Sequence, residues 1–279
     1  LKKLLPGVYC RRGGAMPTNV LFFDSGVGGL SVLEAVRKLN PGFTYSYVFD
    51  NACFPYGELP SDFLVERVTS IVSDLAARLS AGLVVIACNT ASTVALPSLR
   101  SILDIPVVGV VPALKPAASL TKTGVIGLLA TPATVHRSYT QKLIDEFDRG
   151  CRIIRVGSSA LVREAEKKLS GGMVDMEVMR RELAPFDEEP LTDVIVLGCT
   201  HFPHLRPEIE SILPGRTLID SGEAIARRVA SLTGNSGTSG QGGTGEAFCT
   251  VMEPRLEGIR GVLRDMGLGE LRVWEKGAE

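Results

Sequence analysis

The chain has 279 residues, 45% of them hydrophobic and 22% charged, and its 30 basic and 31 acidic side chains give a net charge of −1. This composition excludes a disordered chain, and the near-neutral charge argues against a protein that coats nucleic acid or binds acidic membranes. The length predicts about two domains, and no apolar run reaches the roughly 18 residues that a membrane-spanning helix needs.

Two segments are predicted to lie outside the folded core. Residues 1–16 are expected to be a tail, since Pro6 and the run 11–14 interrupt their short apolar stretch and no secretory signal is indicated. The glycine-rich segment 234–245 is expected to be a flexible loop. Without an export signal we expect a cytoplasmic protein, in which the cysteines stay reduced. The six cysteines are Cys10, Cys53, Cys88, Cys151, Cys199 and Cys249.

Short apolar segments alternate with helical patterns along the rest of the chain. The predicted strands are Val20–Phe23, Tyr45–Phe49, Leu83–Ala87, Val107–Val111, Val125–Leu129, Ile153–Val156, Val194–Leu197 and Thr217–Ile219, with closing strands at Phe248–Val251 and Leu271–Trp274. Helical spacing of apolar residues occurs at Ser31–Leu39, Asp62–Leu79, Ala160–Leu169 and Arg206–Leu213. This alternation predicts an α/β fold built on parallel sheets with right-handed crossovers.

Prolines mark the expected domain boundaries. We expect the chain to cross into a second domain near Pro112 and to return near Pro214. The predicted division is an α/β domain A over 17–112 and 214–279, and an α/β domain B over 113–213.

The same pattern of residues occurs at two distant places. Cys88 follows the apolar strand Leu83–Ala87, Cys199 follows Val194–Leu197 and a glycine, and polar residues and a predicted helix come next in both. Ligands bind at the carboxyl ends of parallel strands, and a helix N-terminus lowers the pKa of a thiol and attracts anions. Each cysteine is therefore either a small buried hydrophobe, the usual role of a free cysteine, or a thiolate beside an anion site.

Two further segments carry polar groups near predicted strand ends. In Phe23–Gly29 the glycines do not form a dinucleotide fingerprint, because Ser31 stands at the third glycine position. They would instead let a small ligand approach the backbone. Asp24 is either a helix cap or an acid–base partner of a thiol. In the predicted turn Pro55–Gly57, Tyr56 either packs in the protein interior or binds a substrate.

A metal site is an alternative at the second cysteine. Cys199, His201 and His204 could supply three ligands, but Pro203 disturbs the helix that the histidines would share. An acid–base role for His201 is favoured, and no metal is predicted.

At these residues the chain resembles the glutamate racemases, a cofactor-independent family that has aspartate racemases as relatives. The matching motifs are Phe23–Leu30, Asp50 with Pro55–Gly57, Ala87–Ser92, Leu197–Pro203, Ile219–Gly222 and Phe248–Thr250. Each motif alone is weak, but the combination is specific because the motifs follow the family's order. The Gly-Cys-Thr-His-aromatic-Pro motif favours the glutamate branch.

The resemblance implies a fold and a reaction. The fold would have two pseudo-symmetric domains, each a mostly parallel sheet flanked by helices, with the active site in the cleft between them. One cysteine thiolate would remove the α-proton and the other thiol would protonate the opposite face, with Cys88 serving D-glutamate and Cys199 serving L-glutamate. The resemblance also implies that no cofactor is needed, that D-glutamate supplies peptidoglycan, and that the protein is a homodimer.

The resemblance also implies roles for individual residues. Assisting groups would be Asp24, His201 and Glu166, and the substrate-binding positions would be Asp24, Ser25, Tyr56, Gly57, Asn89, Thr90, Thr200 and His201. The match is loose around Glu166, because 157–162 lacks the family's Cys-Pro, so a surface-helix position is the alternative. Cys53 and Leu59 stand where the family usually has Arg and Lys, which bears on specificity.

Other functions fit the residues less closely. The same fold could racemise aspartate or another small acid, or serve as a catalytically weak binding or regulatory relative. A cysteine hydrolase is disfavoured, because His201 follows Cys199 too closely to act as its in-line base. A pyridoxal enzyme is disfavoured because the sequence shows no convincing phosphate cup.

Overall fold

The computed structural model describes residues 19–147, 150–234 and 242–277. The predicted tail 1–16 and most of the glycine-rich segment 234–245 lie outside the described residues. The described part forms two sheets in which every paired strand runs parallel to its neighbour.

The strands divide between a six-stranded and a four-stranded sheet. The first sheet contains β1 (Asn19–Asp24), β2 (Thr44–Phe49), β3 (Leu83–Ile86), β4 (Val107–Gly109), β9 (Gly245–Cys249) and β10 (Leu268–Val273), in the order β10-β9-β2-β1-β3-β4. The second contains β5 (Val125–Ala130), β6 (Arg152–Gly157), β7 (Thr192–Leu197) and β8 (Thr217–Ile219), in the order β6-β5-β7-β8. The α/β prediction is confirmed, and every predicted strand overlaps an observed one.

Helices connect the strands and cover both sheets. They are α1 (Leu30–Leu39), α2 (Ser61–Arg78), α3 (Asn89–Ile102), α4 (Leu114–Leu120), α5 (Pro132–His136), α6 (Ser138–Phe147), α7 (Ser159–Leu169), α8 (Met176–Asp187), α9 (Arg206–Ile212), α10 (Gly222–Thr233) and α11 (Ile259–Asp265). Short 3₁₀ helices occupy Asn51–Cys53, Tyr56–Glu58, Phe202–Leu205 and Pro254–Glu257. Among the described residues, no helix combines the length and the apolar content that crossing a membrane requires.

The strands are apolar throughout because each sheet is buried on both faces. In β1, Val20 and Phe22 pack into a core cluster with residues of α1 and α10, whereas Leu21 and Phe23 pack into a second cluster with residues of α2 and α3. The second sheet is covered in the same way by α7 and α8 on one face and by α4 and α6 on the other. Continuous apolar runs are typical of such doubly covered parallel strands.

The second sheet extends past the predicted return at Pro214. β8 pairs with β7 through Val194 and Thr217, and through Val196 and Ile219. Strand pairing, rather than the proline, decides which sheet a segment joins, so the return follows Ile219. We propose the outward crossing near Pro112, since β4 ends in the first sheet just before it and α4 packs on the second.

The packing of Phe186 gives a test of the second core. Phe186 on α8 is fully buried, and a Cβ added to Gly127 of β5 would lie 2.8 Å from its ring. We expect Phe186→Ala to lower the free energy of unfolding by about 3–5 kcal/mol, measured by urea denaturation. The control Leu191→Ala alters a side chain that is 53% exposed, and it should change stability by no more than about 0.5 kcal/mol. Equal effects of the two substitutions would contradict this packing.

Candidate active site

The carboxyl ends of both sheets face one small cavity. Its walls are formed by Asp24, Ser25, Phe54, Pro55, Tyr56, Gly57, Cys88, Asn89, Thr90, Thr131, Val162, Cys199, Thr200 and His201. The residues that the sequence singled out for the site all line this cavity, with the exception of Glu166, which lies behind His201. The cavity therefore gathers polar groups from segments more than 170 residues apart in the chain.

Cys88 lies between β3 and α3 and caps the helix. Its Sγ accepts a hydrogen bond from the Ala91 N–H at 3.4 Å and lies 3.6 Å from the Ser25 hydroxyl oxygen. The expectation of a lowered pKa was wrong for this thiol. Burial raises the pKa of Cys88 well above its usual value, the negative charge of Asp24 adds to the rise, and the two hydrogen bonds only partly oppose it.

Cys199 has a different environment. The predicted helix does not follow it directly, because the short 3₁₀ helix Phe202–Leu205, which contains Pro203, precedes α9. The Cys199 Sγ instead lies 3.6 Å from His201 Nδ1. The two cysteines therefore differ in their partners, a helix N-terminus for Cys88 and an imidazole for Cys199.

His201 is held by Glu166 of α7. The His201 Nε2 lies 2.7 Å from Glu166 Oε1, which also accepts a hydrogen bond from the Val27 N–H at 2.8 Å. Burial alone would lower the pKa of His201, but its hydrogen bonds to Cys199 and Glu166 raise that pKa well above the usual value. Burial would raise the pKa of Glu166, but His201 and the Val27 N–H hold it below its usual value.

Glu166 is therefore buried, with 6% of its surface exposed, and the surface-helix alternative is wrong. We call the part of the chain built on the six-stranded sheet the first domain and the part built on the four-stranded sheet the second domain. Two glycines of the first domain make room for this contact. A Cβ on Gly26 would lie 2.3 Å from Glu166 Oε1, and a Cβ on Gly28 would lie 2.4 Å from His201 Nδ1. The glycines thus allow close approach of the second domain's side chains, where the sequence suggested approach of a ligand.

Asp24 is fully buried at the end of β1. Its Oδ1 accepts a hydrogen bond from the Ser25 N–H at 2.7 Å, and its Oδ2 accepts one from the Gly29 N–H and one from Thr200 Oγ1, the latter at 3.2 Å. Burial raises the pKa of Asp24, and the charge of His201 opposes this rise. Asp24 thus binds backbone N–H groups just before α1 and lines the cavity, and its acid–base role stays a prediction.

Tyr56 is positioned by Asp50. The Tyr56 hydroxyl donates to Asp50 Oδ2 at 2.7 Å, and Arg67 donates to both oxygens of that carboxylate at 2.8 and 2.9 Å. Thr250 Oγ1 donates to Asp50 Oδ1 at 2.6 Å. Burial would raise the pKa of Asp50, but the hydrogen bonds from Arg67, Thr250 and Tyr56 lower it. Tyr56 therefore packs through its ring while its hydroxyl is already engaged.

Sequence reasoning missed three side chains of the cavity wall: Phe54, Thr131 and Val162. Thr131 follows β5 as the cysteines follow β3 and β7, so the rule about strand ends could have found it. Its Oγ1 lies 3.5 Å from Thr90 Oγ1 of the first domain. Asn89 Oδ1 is buried in this cavity without a hydrogen-bond partner, so it is available to a donor group of a ligand.

His204 takes no part in this cavity. Its Nε2 lies 3.0 Å from the Gly28 carbonyl oxygen, and burial lowers its pKa to about 4. In the part of the chain that the structure describes, no group of three His, Cys, Asp or Glu residues is arranged to hold a metal ion. Cys53, Cys88, Cys199 and Cys249 are free thiols, and Cys10 lies outside the described residues.

Known proteins share this sequence and fold. A family model described as Asp/Glu/hydantoin racemase matches residues 31–229. The glutamate racemases of Photorhabdus laumondii and Proteus mirabilis are 51% and 52% identical over 263 residues, which is 92% of this chain and 90% and 91% of theirs. The structure of Escherichia coli glutamate racemase in complex with L-glutamate and the activator UDP-MurNAc-ala superimposes with a TM-score of 0.87 at 48% identity, covering 92% of this chain and 98% of that one.

Two thiols line one cleft between two α/β domains with parallel sheets. Together with the matches above, this arrangement places the chain in a class of isomerases. The chain belongs to the Asp/Glu/hydantoin racemase family. The relatives that share about half of their residues with this chain are glutamate racemases. They confirm the resemblance found in the sequence.

The contact between Glu166 and His201 predicts the titration of the imidazole. We expect His201 to stay protonated well above the usual pKa of about 6.5. Glu166→Gln should lower its pKa, because the substitution removes the negative charge at 2.7 Å from Nε2. The measurement is a pH titration of the imidazole signals by ¹H–¹⁵N NMR.

The matched control is Glu177→Gln, on an exposed glutamate of α8 that pairs with Arg180. It should leave the His201 titration unchanged. A His201 signal that titrates at the same pH in wild type and in Glu166→Gln would refute the coupling.

Proposed function

We propose that this protein interconverts L- and D-glutamate by a cofactor-independent mechanism that uses two cysteines as bases. The observation that carries the proposal is that Cys88 and Cys199, one from each sheet, line the same small cavity. The relatives named as glutamate racemases and the L-glutamate in the E. coli structure support this substrate.

Racemisation needs two groups on opposite faces of the α-carbon. A single fixed base that returned its own proton would restore the original configuration. In the proposed reaction one thiolate takes the α-proton, the electron pair of the broken C–H bond moves into the α-carboxylate, and the other thiol delivers its proton to the opposite face. Each turnover leaves the two sulfurs with exchanged protonation states.

The hydrogen bonds suggest which thiol begins as the base. A protonated His201 carries an N–H on both ring nitrogens, so Nε2 donates to Glu166 and Nδ1 donates to the sulfur of Cys199. The Sγ of Cys88 has only uncharged hydrogen-bond partners, the Ala91 N–H and the Ser25 hydroxyl, so the proposal assigns Cys88 as the thiol. Cys199 is therefore the base that accepts the α-proton of L-glutamate, and Cys88 is the acid that completes D-glutamate. The reverse reaction starts from the exchanged state.

The cavity supplies groups that would stabilise the deprotonated substrate. The first backbone N–H groups of α3, at Asn89 and Thr90, have no partner within the helix and suit the α-carboxylate. The unpartnered Asn89 Oδ1 suits the α-ammonium group. In a buried cavity such fixed dipoles act more strongly than they would in water. The proposal thus assigns substrate binding to Ser25, Tyr56, Gly57, Asn89, Thr90, Thr200 and His201, with Asp24 beside them.

The wider role is part of the same proposal. D-glutamate made by this enzyme would serve peptidoglycan synthesis in the cytoplasm, and the active form would be a homodimer, the commonest closed assembly. The activator UDP-MurNAc-ala in the E. coli structure supports a link to that pathway.

Isotope exchange tests the reaction. The purified protein, with no added cofactor and with its thiols kept reduced, is incubated with L-glutamate in heavy water. We expect the α-proton signal to disappear in ¹H NMR while D-glutamate appears in chiral chromatography. The same assay with aspartate tests the alternative substrate, and exchange of aspartate but not glutamate would overturn the proposed specificity.

Single cysteine variants test the assignment of the two bases. Cys88→Ala and Cys199→Ala should each lower racemisation by about 10²–10⁴-fold, the usual contribution of a general acid or base. Residual exchange without inversion should persist for L-glutamate in Cys88→Ala and for D-glutamate in Cys199→Ala. The matched control, Cys249→Ala, removes a free thiol outside the cavity and should leave the rate unchanged. Full activity in either site variant would exclude the two-thiol mechanism.

The close approach at Gly28 predicts a third result. A Cβ there would overlap the His201 ring at 2.4–2.7 Å, so Gly28→Ala must displace His201 from Cys199. We expect glutamate racemisation to fall by up to about 10²-fold, as small misplacements of catalytic groups can do. Gly261→Ala in α11, where a Cβ meets nothing within 4 Å, is the control and should keep full activity. Equal activity of both variants would show that His201 has no positional role.

A further inference from the structure

Glu166 has a second carboxylate oxygen, which faces an arginine of the first domain. Arg255 lies in the 3₁₀ helix Pro254–Glu257 that follows β9, and its Nη1 lies 3.5 Å from Glu166 Oε2. The other oxygen, Oε1, is the one that contacts His201 and the Val27 N–H. Both oxygens of the Glu166 carboxylate are thus held by partners. The partner of Oε2 is a charged guanidinium of the opposite domain.

Arg255 also lies over the ring that covers His201. Its guanidinium carbon is 5.8 Å from the centroid of Phe54, and the Phe54 ring is 5.7 Å from the imidazole of His201. Phe54 lines both the catalytic cavity and an outer, open cavity that Arg255 borders. Arg255 therefore contacts two of the groups that surround His201, the carboxylate and the aromatic ring.

The guanidinium is itself fixed in place. Its Nε pairs with Glu253, and Asn51 donates to the other oxygen of that carboxylate at 3.3 Å. The side chain is 37% exposed, so one edge of it remains in water. The planar fork of an arginine serves two carboxylates from separate N–H groups, which a lysine cannot reproduce. This anchoring lets Arg255 act as a fixed support for Glu166.

We propose that Arg255 is a positioning residue for the Cys199 half of the reaction. By holding Glu166 and Phe54, it keeps His201 against the sulfur of Cys199. Arg255 contacts Glu166, Glu253 and Phe54, whereas the partners of Cys88 are Ala91 and Ser25. Loss of Arg255 should therefore slow the proton transfer at one thiol and not at the other. The inference rests on the two-thiol mechanism proposed above.

Rates alone cannot separate the two proton transfers. L- and D-glutamate are equally stable, so kcat/KM must be equal in the two directions for every variant. Isotope effects do separate them, because an α-deuteron is removed from L-glutamate by Cys199 and from D-glutamate by Cys88. Slowing only the Cys199 step makes that step more rate-limiting in both directions. The isotope effect then rises for deuterated L-glutamate and falls for deuterated D-glutamate.

The experiment measures the isotope effect on kcat/KM for α-deuterated L- and D-glutamate in wild type and in Arg255→Gln. We expect kcat/KM to fall on the order of tenfold, within the range known for misplaced catalytic groups. The isotope effect should rise with L-glutamate and fall toward 1 with D-glutamate. Arg255→Lys keeps the positive charge but lacks the planar guanidinium. It should raise the isotope effect with L-glutamate and lower the one with D-glutamate, each by a smaller amount than Arg255→Gln does.

The matched control is Arg272→Gln, which removes a comparable arginine of the first domain that pairs with Glu246 at 2.8 Å on the surface. It should leave both isotope effects at their wild-type values. Isotope effects in the Arg255 variants that are unchanged, that move together, or that rise with D-glutamate would overturn the inference. If Arg255→Gln does not fold, Arg255→Lys carries the test. Failure of the proposed function is distinguishable, since the wild-type protein would then not racemise glutamate.

Discussion

The arrangement of this site depends on one buried carboxylate that joins the two domains. Glu166, from the second domain, accepts hydrogen bonds from the Val27 N–H of the first domain and from His201. The contact requires that the loop after β1 carry no side chain at Gly26 or Gly28, where a Cβ would overlap the partner atoms. The glycines thereby permit the closed cavity, and the position of His201 beside Cys199 follows from that closure.

The two halves of the site are alike in sequence but different in physical chemistry. Both cysteines end a parallel strand, yet Cys88 caps the 14-residue helix α3 whereas Cys199 faces an imidazole. Burial and the charge of Asp24 raise the pKa of Cys88, because desolvation outweighs the hydrogen bond from the helix N-terminus. The proposed reaction needs one sulfur as an acid and the other as a base at the same time, and the different partners of the two cysteines would favour different roles for them.

Much of the fold could be predicted from the sequence because it depends on local patterns. Parallel strands buried on both faces appear as apolar runs, and α1, α2, α7 and α9 show a regular apolar stripe. The helix α5, with five residues, is too brief for a stripe. The cysteines and Asp24 were found because they follow strands. The partners Phe54 and Arg255, the role of Gly28 and the placement of β8 depend on contacts between distant segments, which no local pattern encodes.

The buried charges explain why this site should be sensitive to single substitutions. Glu166 and His201 expose 6% and 2% of their surface, and each is compensated by the other. Removing one partner from such a pair leaves an uncompensated buried charge, which costs far more than the loss of a surface ion pair. Arg255 is partly exposed, so its loss removes support from Glu166 without burying a new charge. Its substitution should therefore alter catalysis more than folding, whereas loss of Glu166 or His201 should affect both.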